Sequence, residues 1–331
     1  MAKKLYMTMV FVFVAGVAFS GGEQESTGGE KTFKLDYATP FANDGPAGVA
    51  MKKLAEDVNR KTKGTIEISI FTDGALGSGN DNLASLKSGE LDMGVNGMEG
   101  LDMFAPEFTF LSSPFLLTSW EQLGRILASD IGAGLRAKFE ANNIKPLAYH
   151  FRDIRVFASN REILKPTDVA GLKLRLPLMK TYVDAWGRLN VVSTTIAMGE
   201  LYTALQTGTA EACEGGYEQM VTLKIYEVQK YIADSNHVFD HAATFIHKPL
   251  FESMSSTQQA ILNESAKEAM AYADKLATER LAGYKKQCLD GGMKLMNFDR
   301  QAFSDALAEY NKNLFKTKWP GFTYEQIMKY K

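Results

Sequence analysis

From residue 33 the chain alternates short β-branched runs with amphipathic runs, and the alternation starts again near residue 146. "FKLDYA" (33–38) and the period-two "TIEISIF" (65–71) predict strands. Between them "PAGVAMKKLAEDVNRKTKG" (46–64) places Val49, Leu54 and Val58 near helical spacing, with Pro46 at its start and Gly64 at its end. "NDNLASLKSG" (80–89) predicts a short helix closed by glycine, and "LDMGV" (91–95) a third strand. This β-α-β-α-β order argues for an α/β unit with a largely parallel sheet. In the second round, "PLAYHF" (146–151), "RVFAS" (155–159), "LKLRL" (172–176), "VVSTT" (191–195) and "AEACE" (210–214) read as strands. The stretches "YVDAWGRL" and "GELYTALQTG" (199–208) read as helices, so a second α/β unit is expected.

The two rounds share a short echo. Leu86-Lys-Ser-Gly89-Glu-Leu-Asp92 and Leu205-Gln-Thr-Gly208-Thr-Ala-Glu211 each run helix, glycine, strand, acid. Asn96-Gly97 and Gly215-Gly216 follow the two acids at the same interval, where each strand should end. The match is either coincidence or the mark of two similarly built lobes with equivalent loops at one cleft. Residues 256–289 contain no proline and one glycine, Gly283. As one helix they would extend about 50 Å at 1.5 Å per residue, enough to brace two lobes; the other reading is a break at Gly283.

At the N-terminus Lys3 and Lys4 precede the apolar "LYMTMVFVFVAGVA" (5–18), which ends small-x-small at Ala18-Phe19-Ser20. This is the pattern of a secretory signal peptide, residues 1–20, cleaved near Ser20 and followed by a flexible polar linker, 21–32. The run is too short to span a bilayer comfortably, which takes about 20 residues. A net charge of −2 without like-charge runs excludes a basic nucleic-acid surface. The two cysteines, Cys213 and Cys288, have no metal-site or redox spacing, and two buried thiols fit better than one disulfide.

Motifs of nucleophilic, phosphate-binding and metal chemistry are missing, so neither cofactor nor metal is expected. His237 and His241 would share a face only on a helix, whereas the surrounding "NHVFDHAATFIHKP" favours a strand or turn.

"GLKLRLP" (171–177) alternates Leu172, Leu174 and Leu176 with Lys173 and Arg175. Alternation alone favours a solvent-facing arginine. Arg175, however, precedes Pro177 at the C-terminal end of its strand, where ligands of open α/β sheets bind. An arginine under a covered sheet needs an anionic partner, and its planar fork suits a carboxylate.

"RVFASNREILKPTDVAGLKLRLP" (155–177) resembles the central signature of solute-binding proteins of tripartite ATP-independent periplasmic (TRAP) transporters. "VNRKTKGTIEISIFTDGALGSGNDNLASLKSGELDMGV" (58–95), "GELYTALQTGTAEACEG" (199–215) and "YEVQKY" (226–231) with "SNH" (235–237) resemble further family signatures, in order. The resemblance implies an α/β periplasmic-binding-protein architecture with a ligand cleft between two lobes and a long bracing C-terminal helix. Lobe I would comprise 33–152 plus 241–280, and lobe II 153–240 plus 281–331. It implies a periplasmic protein that takes an organic acid and delivers it to ion-coupled TRAP integral-membrane subunits, with a helical-repeat periplasmic protein as a further partner to consider.

By the resemblance, Arg175 forms the salt bridge to the ligand carboxylate and Arg155 matches a second arginine of some acid-binding members. Asn43, Asn96, Met98 and Tyr217 are expected at the cleft, together with Glu214. Sialic-acid-type members carry polar groups where this chain has Gly97 and Gly215, and an aromatic residue where it has Met198. The expectation is therefore a roomier, less polar pocket, for a monocarboxylate with an apolar or aromatic body or a larger organic acid rather than a sugar acid. Two other readings stay open: an exported α/β enzyme acting on a small acid, and a ligand-sensing protein of the same fold.

Overall fold

Ala47, Ala50, Met51, Leu54 and Val58 recur at helical spacing and are all buried, so Pro46–Lys61 folds as a helix with its apolar stripe on the first of two sheets. In the computed structural model residues 30–331 are described. The signal peptide and most of the linker expected at 21–32 lie outside the described residues.

The first sheet has the order β2-β1-β3-β10-β4 and the second β11-β9-β5-β8-β6-β7. The strands are β1 (Phe33–Ala38), β2 (Ile66–Phe71), β3 (Met93–Asn96), β4 (Ile144–Ile154), β5 (Val156–Ser159) and β6 (Lys173–Leu176). They continue with β7 (Val192–Thr195), β8 (Ala212–Gly215), β9 (Tyr231–Ala233), β10 (Phe239–His247) and β11 (Lys294–Leu295). The βαβ parts are parallel as expected: β1 with β2 and β3, and β6 with β7 and β8. By contrast, β10 runs antiparallel to β3 and β4, and β5 antiparallel to β8 and β9. These antiparallel strands are those through which the chain changes sheets. One residue, Arg155, separates β4 from β5, and five residues, 234–238, separate β9 from β10.

The echo between the two rounds is structural. Gly89 and Gly208 close their helices at φ +83° and +74°, a conformation that costs glycine little. Asp92 then accepts the Asp36 N–H at 2.8 Å, and Glu211 accepts the Lys173 N–H at 3.1 Å. Each acid thus ties the start of its strand to the parallel neighbour.

Residues 256–290 form one unbroken helix that passes through Gly283, opened by a Ser255–Gln258 capping box. Leu262, Ala266, Ala269, Met270 and Ala273 pack in the core of the first sheet, and Cys288 in a core cluster of the second. Both Cys213 and Cys288 are free, buried thiols. The helix Arg300–Thr317 and the residues after it pack on the segment 109–127. Trp319 Nε1 donates to Thr109 Oγ1 at 2.9 Å, and Asn311 Nδ2 donates to the Pro114 carbonyl at 3.0 Å. Among the described residues no helix is long and apolar enough to cross a membrane.

Candidate functional site

A cavity of about 310 Å³ lies where loops of both sheets meet. The first sheet contributes Phe41, Gly77–Asn80, Gly97–Glu99, Arg152 and Asp240; the second contributes Arg175, Pro177–Met179, Met198 and Gln219. Most of these follow the C-terminal ends of β1, β2, β3, β6 and β7, the edge where α/β sheets hold ligands.

Arg175 sits on β6 between Thr194 of β7 and Cys213 of β8, and is 2 % exposed. Its Nε and Nη2 donate to one carbonyl, that of Ile196, at 2.9 and 2.5 Å. Among the described residues it forms no ion pair. Burial pushes its pKa down to about 10, the nearby Glu214 charge opposing and Arg155 adding to the fall. Arg175 is thus a buried guanidinium held at one side by a carbonyl, lining the cavity on the other, with no carboxylate partner among the described residues.

Arg155 is in the opposite situation. At the crossing between the sheets its N–H donates to the Val238 carbonyl at 2.9 Å, which ties the two crossing segments together. Its Nε and Nη2 donate to Glu214 Oε2 and Oε1 at 2.5 and 2.7 Å, and its Nη1 donates to Asp240 Oδ2 at 2.8 Å. Glu214 also meets His237 Nε2 at 3.1 Å, and His237 Nδ1 meets Ser235 Oγ at 2.8 Å. Asp240 accepts from Arg152 Nη1 at 3.3 Å, and Arg152 lies 3.8 Å over the ring of Phe41. Charges therefore alternate through a buried chain, each with a partner.

Burial works against ionisation of Glu214, but the Arg155 charge and the His237 bond outweigh it and hold its carboxyl at about 2. Burial likewise works against the Arg155 cation, and its carboxylate neighbours raise it well above the usual range. For His237 burial wins over Glu214 and lowers the pKa. A neutral imidazole with its proton on Nε2 satisfies both contacts. Asp153, beside this chain, is pushed up to about 7 by burial, against hydrogen bonds from the Glu218 and Ile154 N–H groups.

The structure brings Arg175, Arg155, Gly97, Met98 and Met198 to the cavity wall. Glu214 lies behind Arg155, fully buried. Asn43 adjoins the wall residue Ala42, its N–H 3.4 Å from Asp73 Oδ1. The Asn96 amide donates to the Gly79 carbonyl at 2.9 Å, which holds the Gly77–Asn80 loop. Tyr217 points its hydroxyl to Asp234 at 2.7 Å, and Gly215 is buried within β8. Phe157, on β5, packs against Trp186 in the core. Sequence reasoning missed Arg152, Asp240, Glu99 and Gln219. Arg152 and Glu99 lie within three residues of recognised positions, but no local pattern distinguishes them from surface charges.

The expectation of a less polar pocket at the two glycines is corrected. A Cβ at Gly97 would lie 2.7 Å from Glu99 Oε2, and one at Gly215 2.7 Å from Gln219 Oε1. In each lobe a polar side chain two or four residues further on folds back over the glycine. The volume freed by the missing side chain is therefore filled, and filled by a carboxyl and a carboxamide.

Residues 37–318 match the DctP family, bacterial extracellular solute-binding protein family 7. The chain belongs to this family. Its curated relatives include the 2,3-diketo-L-gulonate-binding periplasmic protein YiaO of Escherichia coli, 28 % identical over 320 residues and 94 % of each chain. Among solved structures it is similar to the sugar acid binding protein DctPAm of Advenella mimigardefordensis in complex with galactonate (TM-score 0.86, 25 % identity, 91 % of this chain and 98 % of that one). It is also similar to a TRAP periplasmic solute binding protein of Sulfitobacter with bound β-D-galacturonate (TM-score 0.82, 26 % identity, 90 % and 98 %). The expected TRAP solute-binding family and its two-sheet α/β fold with a long C-terminal helix are thus both found.

Proposed function

We propose that this solute-binding protein is exported, with cleavage near Ser20, captures an organic acid in the periplasm, and delivers it to ion-coupled TRAP membrane subunits without transforming it. The observation that carries the reading is Arg175: a buried guanidinium on the cavity wall whose hydrogen bonds go to one carbonyl and to no acid. A ligand carboxylate completes it as a two-pronged, charge-assisted pair. A cavity of about 310 Å³ suits a small acid, since small-molecule sites run from roughly 300 to 1,000 Å³.

Arg155 contributes by position. Clamped between Glu214 on one sheet and Asp240 on the other, it keeps a charged wall in register across the crossing. Each sheet with its helices would form the body of one lobe, near the bounds 33–152 with 241–280 and 153–240 with 281–331, except that segment 109–127 goes with the C-terminal helix it packs on. Closure over a ligand that touches both is a hinge population shift about the crossing at Arg155 and 234–238. His237 is fully buried and engaged at both ring nitrogens, which speaks for binding rather than acid–base turnover. No observation favours the helical-repeat partner.

Mass spectrometry of small molecules released on denaturing the purified protein tests this directly. An organic acid in stoichiometric amount, recovered unchanged after incubation, is the expected result. Turnover of that acid would instead support an exported enzyme.

A further inference from the structure

Of the cavity-wall residues whose charged ends are buried, Arg152, Arg155 and Asp240 pair with one another or with Glu214. Arg175 and Glu99 form no ion pair among the described residues. Glu99 opens the helix Glu99–Phe104 shortly after β3, and its carboxyl lies between two glycines. A Cβ at Gly97 would stand 2.7 Å from its Oε2, and one at Gly79 3.0 Å from its Oε1. Its Oε2 is buried and meets no hydrogen-bond partner among the described residues. The charged and titratable groups around this carboxyl are Asp240 on β10, Arg152 on β4, Arg155 at the crossing, Arg175 on β6 and Tyr182 on the helix Lys180–Gly187. The helix Gly79–Ser88 meets it with the backbone of Gly79. Tyr182 stays neutral, because burial raises its pKa well above the usual range.

We infer that Glu99 is a proton-binding residue of the capture step: the acid that pairs with Arg175 enters together with a proton from solvent, which Glu99 carries as a neutral carboxyl. This rests on the acid-capture reading above and adds a proton to what the site takes up. The argument is a charge count. In the empty cavity the Glu99 charge partly offsets that of Arg175. One guanidinium compensates one carboxylate, and a ligand carboxylate on Arg175 brings a second into a cavity of about 310 Å³. That places it within a Debye length, about 10 Å at 0.1 M salt, of Glu99. Two carboxylates sharing such a site do not both stay ionised. The ligand's is held by the fork, so the proton goes to Glu99. Burial already raises the Glu99 pKa above its ordinary value, Asp240 adding to the rise while its own N–H, Arg152 and Arg155 oppose it. The coupling is reciprocal: if the acid raises the proton affinity of Glu99, the proton raises acid affinity by the same factor. Affinity is therefore full below the ligand-free pKa of Glu99. It falls as the pH rises from there to the ligand-bound pKa, by up to about tenfold per pH unit.

The test is calorimetric titration of the full mature protein, freed of bound ligand, from about pH 5 to pH 9. Galactonate, succinate and hexanoate are the probes, and the tightest binder is carried forward. Two buffers of different ionisation enthalpy at each pH count the protons taken up on binding. The wild type should take up about half a proton or more at its maximum, and its affinity should fall by about 10-fold or more across the range. Glu99→Gln keeps the shape and a donor but cannot titrate. It should lose most of the uptake and hold its affinity within about 3-fold, with thermal melts confirming that it folds. The difference between the two proteins separates Glu99 from Asp153, which titrates in the same range. Gly97→Ala, which displaces the same carboxyl, should reduce the uptake as well and serves if the glutamine variant does not fold. No proton uptake by the wild type at any pH in the range would overturn the assignment while leaving acid capture standing. So would undiminished uptake in a folded variant. If none of the acids binds, the acid-capture reading falls, and this assignment with it.

Discussion

Arg175 donates two of its N–H groups to the single carbonyl of Ile196, at 2.9 and 2.5 Å, and has no carboxylate partner among the described residues. The neighbouring strand end thus aims the fork without neutralising it. The other two arginines of the cavity wall, Arg152 and Arg155, pair with carboxylates, so on the proposed reading the ligand supplies the counter-ion of Arg175.

Arg175→Ala should therefore cost about 2–5 kcal/mol in ligand binding, much of it from leaving the bound carboxylate buried and unpaired. The ligand-free protein should lose little, because the substitution also removes a charge whose burial is uncompensated. Arg175→Met, of similar length, should melt no lower than the wild type without ligand. Titration calorimetry and thermal unfolding of the same preparations check both halves. Unchanged affinity in Arg175→Ala would refute the role.

Arg155→Ala should show the reverse balance. It strands Glu214, fully buried, and Asp240 without their principal cation, and breaking a buried pair at one partner costs about 3–5 kcal/mol. Urea unfolding without ligand should register the loss. Arg155→Lys should recover little of it, since an ammonium cannot bridge Glu214 and Asp240 in two planar directions. Full stability in either variant would contradict the clamp.

Asp153 has a measurable pH signature. Burial raises its folded pKa from 3.8 to about 7, so between those values the folded state holds a proton that the unfolded state has released. Its contribution to stability is present below about pH 4 and is lost as the pH rises through about 7. Relative to the wild type, Asp153→Asn should gain stability progressively over that interval, by up to about 4 kcal/mol. Buried histidines act in the opposite sense at low pH: His241, lowered to about 4 by burial, favours the folded state as pH rises towards 6.5. The difference between variant and wild type, rather than either profile, is thus the quantity to measure by thermal melts. A constant difference from pH 4 to 8 would refute the shift.

Gly97→Ala places a Cβ 2.7 Å from Glu99 Oε2. The backbone at Gly97 needs no left-handed conformation and the obstructing atom ends a side chain, so Glu99 should swing aside while the fold survives. Ligand affinity should fall about 10-fold, the worth of one realigned hydrogen bond, with stability changed by less than about 1 kcal/mol. Calorimetry and urea unfolding together separate this outcome from simple destabilisation.

Much of the fold was legible because its signals are local. Glycines that close helices, as at Gly89 and Gly208, announce themselves by spacing. So does a glycine-poor run that becomes the 35-residue helix Ser256–Asp290. The antiparallel strands β5 and β10 were not legible as such, because strand direction depends on which partner the chain reaches after changing sheets. The polar groups beside Gly97 and Gly215 are not legible for a related reason: a glycine shows only that its own side chain is missing, and the space beside these two belongs to Glu99 and Gln219.

The two arginines mark the division most clearly. Sequence by itself determined that Arg175 stands at a strand's C-terminal end in a two-lobe solute-binding protein, because alternation, the following proline and ordered family signatures are features of neighbouring residues. Only the tertiary structure decided that Arg155 is neutralised, by Glu214 and Asp240 at 59 and 85 residues' distance, while Arg175 is not. The physical reason is that a charge's role is set by which counter-charge shares its low-dielectric surroundings, and those surroundings exist only after the two sheets have come together.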